Sequence, residues 1–198
     1  MLYEHLGARP RIDDTAVVAP TAVISGDVEI GPNCQVLHGA VITAEGGPIT
    51  LAEHVIVMEN ALIRATAANA VHIGDHTLIG TLASIAGATV GEEVFFASGA
   101  RVFNGSIVGP RCEIRVGAIV TRRAVLPEGT VVPIGWVAAG DPVQLFSPDQ
   151  AEEITAAQPE LDFPGHVFGV DRDTPDLMVQ LTERYGSSLA RHADDHAL

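Results

Sequence analysis

The side chains of this chain that could do chemistry are few in kind and regular in spacing. Its 198 residues contain no lysine; all eleven basic residues are arginine, set against 25 acidic residues and eight histidines. Lacking lysine, the chain cannot form a Schiff base or offer an ammonium point charge to a phosphorylated cofactor. The other reactive groups recur at equal offsets. His38, Glu59, Thr81 and Ser98 each stand two places after an aliphatic or aromatic residue, and Thr43, Arg64 and Ala86 stand one place after theirs. Asn33, His54, His76 and Glu93 share a third position. A carboxylate in line with an imidazole can move a proton, a guanidinium can clamp an anion, and a His/His/Glu set can bind a transition metal. Histidines at the corners of a repeat are more often solvated turn residues than metal ligands.

The elements that would align these groups follow from a six-residue period. Aliphatic residues return at Ile12, Val18, Ile24, Ile30, Val36 and Ile42, then at Leu51, Val57 and Ile63, then at Ile73, Ile79 and Ile85. From Val90 the series runs unbroken through Phe96, Val102, Val108, Ile114, Val120 and Leu126 to Val132. This is the hexapeptide repeat of a parallel β-helix, in which three steps make one triangular coil. Aliphatics point inward, while Gly26-Asp27, Gly31-Pro32-Asn33, Gly74-Asp75 and Gly109-Pro110 turn the corners. Residues at equal offsets in successive coils then stack about 4.8 Å apart, which turns the three sets above into ladders.

The expected fold class is mainly β, with the β-helix over residues 1–143 and a C-terminal α-helical extension over 144–198. Past Pro133 the period stops. Ser147-Pro148-Asp149-Gln150 carries an N-cap, an N1 proline and a capping-box glutamine ahead of a short helix from Ala151 to Ala157. Thr174-Pro175 opens a second helix running to about Arg191. The last residues, Asp194-Asp195-His196, read as a disordered end.

Composition bounds the function. The formal charge of −14 argues against a nucleic-acid partner. No apolar run approaches the roughly 20 residues that span a bilayer, and the N-terminus lacks a basic-then-apolar signal. A soluble cytoplasmic protein with no membrane partner is expected. Cys34 and Cys112 stand too many coils apart to form an intrachain disulfide and read as free buried thiols.

Three segments resemble the γ-class carbonic anhydrases: Val17-Val18-Ala19-Pro20-Thr21-Ala22-Val23-Ile24-Ser25-Gly26-Asp27-Val28, Ile73-Gly74-Asp75-His76-Thr77-Leu78-Ile79-Gly80 and Ala139-Gly140-Asp141-Pro142. The resemblance covers roughly residues 10–143. It implies a left-handed β-helix, a homotrimer, and active sites between subunits where three histidines hold zinc. Carried over position by position, those ligands fall on Arg64, Thr81 and Ala86. The family's Arg-Gly-Asp falls on Thr43-Ala44-Glu45, and its Gln-Asp pair on Met58-Glu59. Arginine and alanine cannot ligate Zn²⁺, so neither a metal nor any other cofactor is expected at this locus, and no carbonic anhydrase activity.

A cation placed where imidazoles met a dication needs an acidic partner, or it costs on the order of 3–5 kcal/mol. If trimer geometry follows the family, the His38 ladder of one subunit faces the Arg64 ladder of the next. Two readings stay open. In one, Arg64 and Glu59 form a salt bridge that replaces the metal as trimer glue. In the other, Arg64 anchors a small anionic metabolite, with Thr43, Thr81, Ala86, Glu45 and Met58 lining the site, while His38 and Glu59 move a proton. Acyl transfer from a thioester, with His38, His54 or His76 as base, is an alternative. Against it, Gly140-Asp141-Pro142-Val143-Gln144 stands where many such enzymes read Gly-x-Pro-Ala-Lys. A non-catalytic trimeric scaffold is the third possibility.

Overall fold

Each six-residue step becomes a short strand and a corner, and every third strand of the repeat falls in the same sheet. The computed structural model describes residues 1–158 and 164–198. Its sheets have ten, seven and seven strands. Parallel pairing passes from coil to coil, Val23 with Val41, Val41 with Leu62, Leu62 with Ser84 and Ser84 with Arg101. This is the β-helix that the period implies.

The core is the column of inward aliphatics. From Ile24 to Val132, every residue of the six-step series is 0 or 1% exposed. Burial of each contributes about 1.5–3 kcal/mol. Ile12 and Val18 are only partly buried, because the first coil has a neighbour on one side alone. Small residues pack beside the column at Ala22, Cys34, Ala40, Ala61, Ala83, Ala100, Cys112, Ala118 and Ala124. Asn33, His54, His76, Glu93 and Arg111 occupy one corner, each in the left-handed region with φ between 55 and 57°. That conformation costs a residue with a Cβ roughly 1–2 kcal/mol. The cooperative stacking of coils offsets it.

Six elements, numbered in chain order, position the groups of interest together with the corner turns between coils. They are β1 (Leu2–Glu4), β2 (Val41–Glu45), β3 (Leu62–Thr66), α1 (Ala151–Ala156), α2 (Leu177–Leu189) and a final β4 (His196–Ala197). β2 and β3 are the long strands, and they lie where the six-residue period breaks. Their extra residues extend the pairing from Leu62 opposite Val41 to Thr66 opposite Glu45, carrying both strands past the ends of their neighbours. Thr66 and Asn69 then close the insertion with paired backbone bonds of 3.0 Å.

Beyond the coils, Val137–Ala139 pairs antiparallel with Gln144–Phe146 and ends the sheet. α1 starts at Ala151, because Ser147–Gln150 first closes a turn in which the Ser147 N–H donates to Gln150 Oε1 at 2.9 Å. α2 runs close to its expected span and buries Leu181. The chain's end departs from expectation. Asp195 is held by two histidines, and β4 pairs antiparallel with β1, Glu4 opposite His196. The terminal segment is therefore a strap that returns to the first coil. Among the described residues, no helix is long and apolar enough to cross a membrane.

Candidate functional site

The ladders read from the sequence exist in the register. Arg64 lies opposite Thr43 on one side and Ala86 on the other. Val36 pairs with Val57, and Ile79 with Phe96, which puts His38, Glu59, Thr81 and Ser98 at one corner of their coils. Within one chain the two ladders do not meet. His38 is exposed, with Nδ1 2.7 Å from Thr21 Oγ1. Half-buried Glu59, next to Met58, accepts a 3.4 Å bond from Thr81 Oγ1. Among the described residues, neither His38 nor Glu59 bonds to Arg64.

Arg64 instead opens on a cleft of about 700 Å³, where Arg122, Arg123, Arg184 and Arg191 also line the wall. Glu45 is an acidic residue at its edge. The end of β3 with its insertion, corner residues of later coils (Asn104, Arg122 and Arg123) and the helical C-terminal segment together make the cleft. Arg184 Nη1 donates to the Phe168 carbonyl at 2.8 Å, and Arg191 Nε to the Ser188 carbonyl at 2.9 Å, so both are fixed by their own segment. The half-buried Arg64 guanidinium has no hydrogen-bond or ion-pair partner among the described residues.

Glu45 is more engaged than the sequence implies. Its Oε1 accepts a 2.8 Å bond from Thr43, while Oε2 lies 3.1 Å from His192 Nε2 and 3.9 Å from His5 Nε2. On the other side of both rings, Asp195 presents one oxygen 2.5 Å from His5 Nδ1 and the other 2.9 Å from His192 Nδ1. The rings stack with centroids 4.5 Å apart. The bond to Asp195 raises the His192 pKa, reinforced by Glu45 against the opposing effect of burial. Burial pushes the Asp195 carboxyl up, but its bonds from His192 and His5 outweigh that and hold it below the usual range.

This second cluster was missed in sequence because His5 precedes the repeat and His192 and Asp195 follow it. No period connects them, and only the pairing of β4 with β1 brings them together. The His54/His76 ladder does stack, with centroids 4.9 Å apart, but His54 and His76 are exposed corner residues. Among the described residues, the set of three potential metal ligands that converges within 4.8 Å is His5, His192 and Asp195, without His54, His76 or Glu93. Cys34 and Cys112 are free and buried, and burial raises both thiol pKa values.

At the positions that the resemblance assigns to zinc, the donor set is a guanidinium, a hydroxyl and a methyl group. It does not fit the ion.

No protein-family model matches the chain. Gamma carbonic anhydrase 1, mitochondrial, of Arabidopsis thaliana is 30% identical over 151 residues, covering 73% of this chain and 53% of that protein. The carbonic anhydrase of Methanosarcina thermophila is 30% identical over 151 residues, covering 65% of this chain and 60% of that protein. The chain spans about half the length of the first two curated relatives it matches, at 53% and 52%. Among solved structures, a putative acetyltransferase from Bacillus cereus superposes with a TM-score of 0.56 at 15% identity, covering 98% of each chain, which is a likeness of fold alone.

Proposed function

We propose that this γ-carbonic-anhydrase-like chain forms a zinc-free homotrimer without carbonic anhydrase activity, whose intersubunit clefts bind or transform a small anionic metabolite. The observation that carries this reading is Arg64, a half-buried cation with no acidic partner among the described residues, opening on an arginine-lined cleft. A bidentate carboxylate or phosphate is the ligand that an unpaired guanidinium matches best. The volume of about 700 Å³ suits a metabolite rather than a macromolecule.

Trimerisation completes the site in this reading. Leu82, Val116 and Ile134 are 64, 51 and 66% exposed along the corner that carries His38 and Glu59, and Phe103, in the Arg64 ladder, is 44% exposed. Such apolar surface is what a neighbouring copy covers. The cleft of one chain is lined by Arg64 and Glu45 but not by Thr43, Met58, Thr81 or Ala86. In this reading the neighbouring copy extends it along the ladder, so that Arg64 anchors the anion and those four side chains shape the added part. Glu45 supplies an opposing charge at the edge of the cleft. His38 and Glu59 from the next subunit move the proton. A cytoplasmic location is part of this reading.

The test is a thermal-shift and calorimetric screen of small carboxylates, phosphates and acyl-CoA thioesters. At least one small anion is expected to bind wild type, and Arg64→Ala should abolish that binding while leaving the trimer mass unchanged. Absence of binding by the whole panel removes the reading.

A further inference from the structure

We propose that His5, His192 and Asp195 form a transition-metal site, with Glu45 as the supporting carboxylate, and that the ion fastens the C-terminal strap to the first coil. The site is separate from the Arg64, Thr81 and Ala86 positions. It also does not depend on the anion-binding reading.

Convergence motivates it: two imidazoles and a carboxylate meet from both ends of the chain, with a second carboxylate beside both rings. His192 lies 2.9 Å from Asp195 and 3.1 Å from Glu45. His5 lies 2.5 Å from Asp195 through Nδ1, and its Nε2 is buried without a hydrogen-bond partner among the described residues. At 2% exposure, His5 is almost wholly shielded from solvent.

A divalent ion bound by both Nδ1 atoms and an Asp195 oxygen would engage all three groups at once. Both Nε2–H groups then face Glu45, the outer carboxylate that commonly orients metal-bound histidines. Two carboxylates and one dication are neutral together. The ligand atoms already lie within 4.8 Å of one another. Zinc bonds of about 2.0–2.1 Å require ligand atoms roughly 3.3 Å apart, so Asp195 must withdraw by less than about 1 Å. The stacked rings must also tilt apart for both lone pairs to meet one ion. His192 can make that rotation, because its side chain is 35% exposed and lies on the strap. Nitrogen and oxygen donors of this kind suit Zn²⁺, Co²⁺ or Ni²⁺ rather than Ca²⁺ or Mg²⁺.

The test uses the full-length protein, stripped with a chelator and titrated with Zn²⁺ or Co²⁺. One ion per chain is expected, with a rise of several degrees in the unfolding midpoint and visible Co²⁺ absorption bands. His192→Ala and Asp195→Asn should each weaken binding at least tenfold and remove the midpoint rise, whereas joint replacement of His54 and His76 by alanine should leave both intact. Buried His5 is left unaltered, and the two strap variants are checked by circular dichroism for a retained fold. Failure to take up metal stoichiometrically overturns the proposal. So does uptake that survives both strap substitutions or is lost with His54 and His76.

Discussion

Arg64 is the residue on which the anion-binding reading stands, and its two possible roles separate by substitution. If it only pairs with Glu59 of a neighbour, Arg64→Ala leaves a buried carboxylate and weakens assembly by roughly 3–5 kcal/mol. Replacing Arg64 and Glu59 together with apolar residues of similar volume would then be nearly neutral. If it anchors an anion, assembly is retained and binding is lost. We expect the second outcome, read by sedimentation and calorimetry on the same variants. Arg64→Lys should recover little of the affinity, since an ammonium cannot reproduce a bidentate fork. Arg64 was legible in the sequence because it sits in register with Thr43 and Ala86. Its arginine-rich surroundings were not, because Arg184 and Arg191 arrive from a helical segment that no repeat register relates to β3.

At the scale of elements, the coil was legible almost residue by residue, since an inward side chain every six positions has only one way to be buried repeatedly. The breaks in the period were the informative part. The added residues at 44–47 and 65–70 lengthen β2 and β3 without disturbing Ile42 or Ile63, both 0% exposed; Glu45 and Thr66 stand on the projecting ends, and Arg64 is the last residue of β3 still paired on both sides. The strap was misread, because a short polar terminus carries no local signal for pairing with a strand almost the whole chain away. Coil-to-coil contact also gives an element-scale prediction. A Cβ on Gly74 would lie 2.5 Å from the Gly91 backbone carbon, where nothing flexible can yield. Gly74→Ala must therefore push two coils apart. We expect a loss of about 1–3 kcal/mol, the usual cost of overpacking, measured as a lower denaturation midpoint. Gly129→Ala, with no atom within 4 Å, should lose only the cost of its left-handed backbone, about 1–2 kcal/mol.

For the molecule as a whole, the distribution of surface groups decides whether it works alone. A monomer would leave Leu82 and Ile134 about two-thirds exposed and would hold His38 and Glu59 on a corner that never meets Arg64. The proposed threefold assembly would bring both ladders together and cover the apolar corner, since in a closed ring each copy turns one patch toward a different patch of its neighbour. Light scattering should therefore give three times the chain mass of 20.7 kDa. A charged side chain at the apolar centre, Leu82→Asp, should shift the population to monomer without unfolding the coil, because residue 82 is outside the core. The same assembly should show no CO₂ hydration above background even when metal is supplied. A guanidinium, a hydroxyl and a methyl group cannot lower the pKa of a bound water. A monomeric mass would remove the shared site, and metal-dependent hydration at a rate above background would show that a catalytic ion is held by residues other than those the ladders supply.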